Sequence, residues 1–192
     1  MRTFPTVAAL VLMMALTQSA IAATAVFAGG CFWCMESAYQ DVPGVSDVIS
    51  GFTGGTHPSP TYSGAHNGHY EAVLVSFKPA QISYQQLLDL YWRNIDPFDA
   101  GGQFCDRGES YRAAIFVADG LEKQQALASR DAVIERFPGR QVVTEVLPRA
   151  EFFPVEEAHQ DYYKKNPLRY KYYRYGCGRD ARLEDVWGSA AH

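Results

Sequence analysis

A chain of 192 residues suits a single domain, and its 47% hydrophobic and 14% aromatic content is enough for a sizeable core, which excludes a disordered chain. The net charge is −4 and no block of Lys and Arg marks a phosphate-binding face, so nucleic acid is not an expected partner.

The N-terminus reads as a processing signal. Arg2 supplies a small positive region, residues 7–16 form an apolar run, and Ala20-Ile21-Ala22 gives the small-x-small pattern cut by a signal peptidase. The run is too short to span a bilayer, nothing later resembles a membrane span, and no Cys follows it closely enough for a lipid anchor. The expectation is a signal peptide over 1–22 and one catalytic domain over 23–192. The protein is then exported, to the periplasm rather than the medium if the source has two membranes.

Residues 24–28 form a β-type run that ends at Gly29-Gly30, and a helical pattern over 32–40 follows at once. Pro43-Gly44 makes a turn before a strand over 45–52. Residues 53–68 have no periodicity and read as a long functional loop. A strand over 70–77 ends at Lys78-Pro79, and Ser83 caps a helix over 84–93. A second irregular stretch, 96–110, precedes a strand over 111–117, a helix over 121–137, a strand over 142–147 and a helix over 156–165. The remainder is rich in Tyr and Arg, carries Gly176-Cys177-Gly178, and reads as irregular. Alternating strands and helices predict an α+β domain, a two-layer α/β sandwich with long loops.

The first chemical feature is Gly29-Gly30-Cys31-Phe32-Trp33-Cys34. A glycine pair between strand and helix puts Cys31 at a helix N-terminus, where free N–H groups and the dipole should lower the thiol pKa from roughly 8.5 and supply a nucleophilic thiolate. Cys34, three residues on, can reach Cys31 to form a disulfide. A structural disulfide or half of a metal site remains open from these residues alone. However, there is no second C-x-x-C and no C-x-x-H, which argues against zinc.

Glu71 is the second feature. It shares a strand face with Val73, Val75 and Phe77, so burial should keep it protonated as a general acid. A surface Glu at a strand end fits the periodicity equally well. Tyr62 and Tyr111 border the irregular stretches, but among twelve tyrosines each is as readily a packing residue. Asp106-Arg107-Gly108 reads as a loop turn, and His69 and His159 read as structural or acid–base groups.

Gly30-Cys31-Phe32-Trp33 resembles the signature of the A-type methionine sulfoxide reductases. Gly51-Phe52-Thr53-Gly54-Gly55, Pro60-Thr61-Tyr62, Gly68-His69-Tyr70-Glu71-Ala72, Asp106-Arg107-Gly108 with Tyr111-Arg112, His159-Gln160-Asp161-Tyr162 and Lys165-Asn166-Pro167 follow in the family's order. The resemblance implies a ferredoxin-like plait core, no metal or organic cofactor, and reduction of protein-bound and free methionine sulfoxide, selective for the S epimer. It assigns Cys31 as nucleophile through a sulfenic acid, Phe32 and Trp33 as the methyl pocket, and Glu71 as proton donor. Tyr62 and Tyr111 would hydrogen-bond the sulfoxide oxygen, and Asp106 would shape and hydrate the pocket. A thioredoxin-like reductant would recycle the intramolecular disulfide, and the enzyme is expected to be a monomer.

Many members have Gly where Cys34 stands, and the segment around Cys177 varies, so both are candidates to resolve the sulfenic acid. Cys34, one helical turn from Cys31, is preferred. Cys177 between two glycines suits a mobile arm, and Cys105 reads as a buried bystander thiol. The alternatives are a thioredoxin-like thiol-disulfide oxidoreductase and an extracellular binding module held by two disulfides.

Overall fold

The computed structural model describes residues 22–188, so the predicted signal segment lies outside the described residues except for Ala22. A buried run, β1 (Ala23–Gly29), leads directly into α1 (Phe32–Tyr39) and then β2 (Val45–Thr53) and β3 (Tyr70–Phe77). Next comes α2 (Tyr84–Arg93), whose start is fixed by a capping box between Ser83 and Gln86. Two-residue strands β4 (Gly102–Gln103) and β5 (Asp106–Arg107) pair with each other inside the stretch read as irregular. A 3-10 turn over Glu109–Tyr111 delays β6 to Ala113–Val117. The chain continues through α3 (Gly120–Arg136), capped by Asp119, and the short strands β7 (Glu145–Pro148) and β8 (Phe152–Pro154).

The strands form one six-stranded sheet in the order β7-β6-β1-β3-β2-β8. Only β6 and β7 run parallel; the other four pairs are antiparallel. Helices pack on one face, giving a mixed α/β fold. Alternation along the strands sends Ala25, Phe27, Val73, Val75 and Ile115 toward Met35, Tyr39, Leu87 and Tyr91 in the main core. Val26, Ala28, Ala72, Ala114 and Phe116 form a smaller cluster on the opposite face. Phe27 stacks between Tyr39 and Tyr91 at 5.4 and 5.3 Å. Both buried hydroxyls are satisfied, Tyr39 by donating to the Leu87 carbonyl and Tyr91 to that of Ala28. No described helix is long and apolar enough to cross a membrane.

Besides the short strands β4, β5 and β8 and the later starts of β6 and β7, two segments differ most from the sequence reading. The single helix predicted over 156–165 is a 3-10 turn at Glu157–His159, a break, and a short α4 (Tyr162–Lys165). Tertiary hydrogen bonds impose the break. The Gln160 amide bonds the backbone of Ser50 and Val155, and Asp161, in the left-handed region at φ 51°, donates its N–H to the buried Glu36 carboxyl. The C-terminal remainder is not irregular but forms α5 (Pro167–Gly176) and α6 (Arg179–Trp187). Pro167 opens α5, and Gly178 at φ 65° turns the chain into α6. Leu183 and Trp187 enter the main core, and the Trp187 indole donates to the Ile95 carbonyl.

That burial sets a prediction. Leu183→Ala should destabilise the protein by about 2–5 kcal/mol, read as a lower urea midpoint with an unchanged slope. A change within about 0.5 kcal/mol, the usual surface range, would mean the C-terminal segment is not part of the core.

Candidate active site

The site is built where β1 ends. Gly30, at φ 83°, makes the turn, and a Cβ there would lie 2.6 Å from that of Gln103, so glycine is required. The turn leaves Cys31 as the N-cap of α1, its carbonyl accepting from the N–H groups of Cys34 (3.1 Å) and Met35 (3.3 Å). Glu71 on β3 lies two residues past the last β1–β3 pair, Phe27 with Val73, and its Oε2 accepts from Phe32 N–H at 3.1 Å. Glu71 is only 2% exposed, which rules out the surface reading. Burial pushes its carboxyl up to about 8, outweighing the opposing hydrogen bonds from Phe32 N–H and the Tyr111 hydroxyl.

Cys31 and Cys34 are both buried and both free thiols, unlike the binding-module reading, which pairs them. The expected lowering of the Cys31 thiol does not occur: burial pushes it well up, and Cys34 and Glu71 add to the rise. The reason is the fate of the helix N–H groups, which go to Glu71 and to the Cys31 carbonyl while the Cys31 side chain makes no cap hydrogen bond. Cys34 instead falls to about 6, because its hydrogen bond with Cys31 and the nearby Arg179 and Arg174 guanidinium groups favour its thiolate.

An aromatic wall surrounds the pair. Trp33 stacks on Tyr162 at 3.8 Å and faces Tyr62 at 6.0 Å and His159 at 5.7 Å. Phe32, fully buried, lies 6.1 Å from Tyr62 and meets Phe52 edge-on at 5.8 Å. Tyr62, 37% exposed, forms the rim; burial and the Glu71 and Cys31 charges push its phenol up to about 12. The half-buried Tyr111 responds to the same two groups. Glu71, Cys31, Tyr62 and Tyr111 therefore lie close enough to act on one another's ionisation. His69 lies apart, bonded within its own loop to Gly55 N–H and the His57 carbonyl.

Asp106, on β5, is half-buried and accepts from the Tyr173 hydroxyl at 2.5 Å. Beside it the reading of Cys105 as a buried bystander fails. Cys105 is exposed and joined by a disulfide to Cys177. Cys177 is likewise no mobile arm, since it caps α5 and is tied to the Asp106 loop. Cys105, Asp106 and Cys177 are the one His/Cys/Asp/Glu cluster of metal-site geometry among the described residues, but the bonded sulfurs are not free thiolate ligands.

Sequence reasoning missed Tyr173, Arg179 and Tyr162, which lie in or beside the segments whose helices it misread. Tyr173 donates to Asp106 and favours the ionised Cys31 thiol, and Arg179 is buried against the carbonyls of Gly29 and Asn94. The available signal was spacing: Tyr170, Tyr173 and Cys177 share one face only if 167–177 is helical.

Burial of Glu71 also predicts a pH dependence of stability. Its carboxyl is raised in the fold above the ordinary value of 4.5, so its contribution is complete below that value and is lost as pH rises toward about 8. Unfolding free energy should decline over this window in the native protein and decline less in Glu71→Gln. Parallel stability–pH curves would contradict a buried, protonated Glu71.

This arrangement has known counterparts. A family model described as peptide methionine sulfoxide reductase matches residues 23–191. A Caulobacter vibrioides protein named peptide methionine sulfoxide reductase MsrA 2 is 50% identical, over 94% of this chain and 95% of its own length. Peptide methionine sulfoxide reductase MsrA of Bacillus subtilis is 46% identical over 86% of this chain and 96% of its own. Among solved structures, methionine sulfoxide reductase A of Corynebacterium diphtheriae superposes with a TM-score of 0.69 at 33% identity, covering 79% of this chain and 78% of that one. The free Cys31 thiol, the protonated Glu71 and the aromatic wall thus sit in a chain that belongs to the peptide methionine sulfoxide reductase family.

Proposed function

We propose that this chain reduces methionine S-sulfoxide, protein-bound and free, to methionine, with Cys31 as nucleophile and Glu71 as general acid. The observation that carries the reading is Glu71, buried and protonated at neutral pH, held by the N–H of Phe32, the residue next to Cys31. A sulfoxide oxygen is a poor leaving group until protonated. Glu71 gives it a proton while Tyr62 and Tyr111 donate hydrogen bonds to it. The Cys31 thiolate attacks the sulfur, methionine departs, and the oxygen stays on Cys31 as a sulfenic acid. Phe32 and Trp33 receive the methyl and thioether through sulfur–aromatic contacts of roughly 0.3–1.5 kcal/mol. Fixing methyl, oxygen and main chain in three directions selects the S epimer.

Cys34 then attacks the sulfenic sulfur, water leaves, and a Cys31–Cys34 disulfide forms. The hydrogen bond between the two sulfurs and the low Cys34 pKa support this role, whereas Cys177 is already bonded to Cys105. A thioredoxin-like dithiol resets the pair by exchange, with no metal or organic cofactor. Asp106 holds the pocket from its β5 side. The connectivity β1-α1-β2-β3-α2-β6 with strand order β6-β1-β3-β2 supports a ferredoxin-like plait for the core. Residues 1–22 act as a signal peptide that exports a monomeric, single-domain enzyme over 23–192 to the periplasm. Comparing the N-terminus of the secreted and whole-cell protein tests that part.

Single-turnover methionine release tests the chemistry. Cys31→Ser should release none, and Glu71→Gln should lose about 10²–10⁴-fold. Cys34→Ser should still release one equivalent and then stall as a trapped sulfenic acid. Equal rates on the two sulfur epimers, or a loss below about threefold for Glu71→Gln, would overturn this assignment.

A further inference from the structure

Helix α5 carries apolar side chains outward. Leu168, Tyr172 and Tyr175 are 83%, 84% and 86% exposed, the three most exposed large apolar side chains among the described residues. They stand at i, i+4 and i+7, so they form one strip within about 60° of the helix circumference. Arg169 and Lys171, both exposed, fall roughly 60–90° to either side of that strip. The helix is held firmly from behind. Tyr170 packs on Cys34, Tyr173 donates to Asp106, and the Cys105–Cys177 disulfide pins the C-terminal end. Nothing in the reaction above employs the outer strip.

The charge along this segment has one sign. Residues 162–179 contain six of the chain's 17 Lys and Arg and no Asp or Glu, in a protein whose net charge is −4. Lys164, Lys165 and Arg174 are paired with acids of neighbouring segments. Arg169 and Lys171, the two that flank the strip, enter no ion pair among the described residues. The strip therefore lies between two exposed cations whose counter-charge the described chain does not supply.

The geometry points to the outer face of α5 as a docking surface for an anionic phospholipid bilayer. Leu168, Tyr172 and Tyr175 enter at the level of the head groups, and Arg169 and Lys171 meet the lipid phosphates. Tyrosine suits this depth, because its ring is apolar and its hydroxyl stays wet. An apolar strip with a cation on each side is the pattern of a helix lying in the plane of the interface. A protein partner fits less well. The helix is about 15 Å long and offers five side chains, against roughly 20–30 residues a side in a specific interface, whereas a bilayer needs no matching shape. Pairing two copies strip to strip would set Arg169 and Lys171 of one against the same cations of the other.

The inference does not depend on the reductase reading, and its test needs no sulfoxide. The protein, its N-terminus read by mass spectrometry, is sedimented with vesicles of phosphatidylcholine alone or mixed with phosphatidylglycerol. It should bind the mixed vesicles, bind the neutral ones weakly, and be released as salt rises. Arg169→Gln with Lys171→Gln should lower the partition coefficient on mixed vesicles about tenfold or more. Leu168→Ser with Tyr172→Ser and Tyr175→Ser should lower it by about as much. All five positions are exposed, so circular dichroism and the melting temperature should stay native in both variants. Absence of binding to the mixed vesicles at millimolar lipid, or native binding in both variants, would overturn the proposal. So would light scattering that finds a dimer lost in the triple variant, which would give the strip to a second copy.

Discussion

The rest of the site depends on one hydrogen bond, from the first N–H of α1 at Phe32 to the Glu71 carboxyl. It joins β3 to the start of α1 at the point where β1 gives way to the helix. It takes the donor that would otherwise favour an anion near Cys31. It also holds a carboxyl in a place with little water, where burial keeps it protonated. A protonated carboxyl accepting on one oxygen has its O–H free for a substrate. The helix N-terminus is thus used to position an acid rather than to ionise a thiol.

Elements with strong local punctuation were legible in the sequence. The spans predicted over 70–77 and 84–93 match β3 and α2, because Lys78-Pro79 stops the strand and Ser83 with Gln86 starts the helix. The break at Asp161 was not legible, since Gln160 and Glu36 impose it from distant parts of the chain. Helix α5 was hidden by its own composition. Leu168, Tyr172 and Tyr175 are exposed while Arg174 is half-buried, so the polar and apolar faces do not separate cleanly. The glycines around Cys177 suggested mobility, but Gly178 is the left-handed link between two anchored helices.

Within the site, strand alternation put Glu71 on an apolar face but left a surface reading equally open, which the resemblance decided, and the glycine pair was enough to put Cys31 at a helix start. The sequence does not specify where each N–H group is spent, and that decides which sulfur carries the charge. Nor does it specify the partner of Cys105, whose pairing with Cys177 spans 72 residues and depends on α5 being a helix. Local pattern placed the individual side chains, and tertiary hydrogen bonding decided their protonation.

Access follows from the same packing. Cys31 is 5% exposed and Cys34 1%, so a sulfoxide reaches the nucleophile only side chain first, past the rim of Tyr62. On the proposed reaction, this depth would favour oxidised side chains on exposed or locally unfolded segments over those in a rigid helix or buried strand. The depth that restricts entry also keeps water from Glu71, which the proposed general-acid role requires. In the proposed cycle the sulfenic acid would form beside the Cys34 thiol, where intramolecular attack competes well with oxidation from outside.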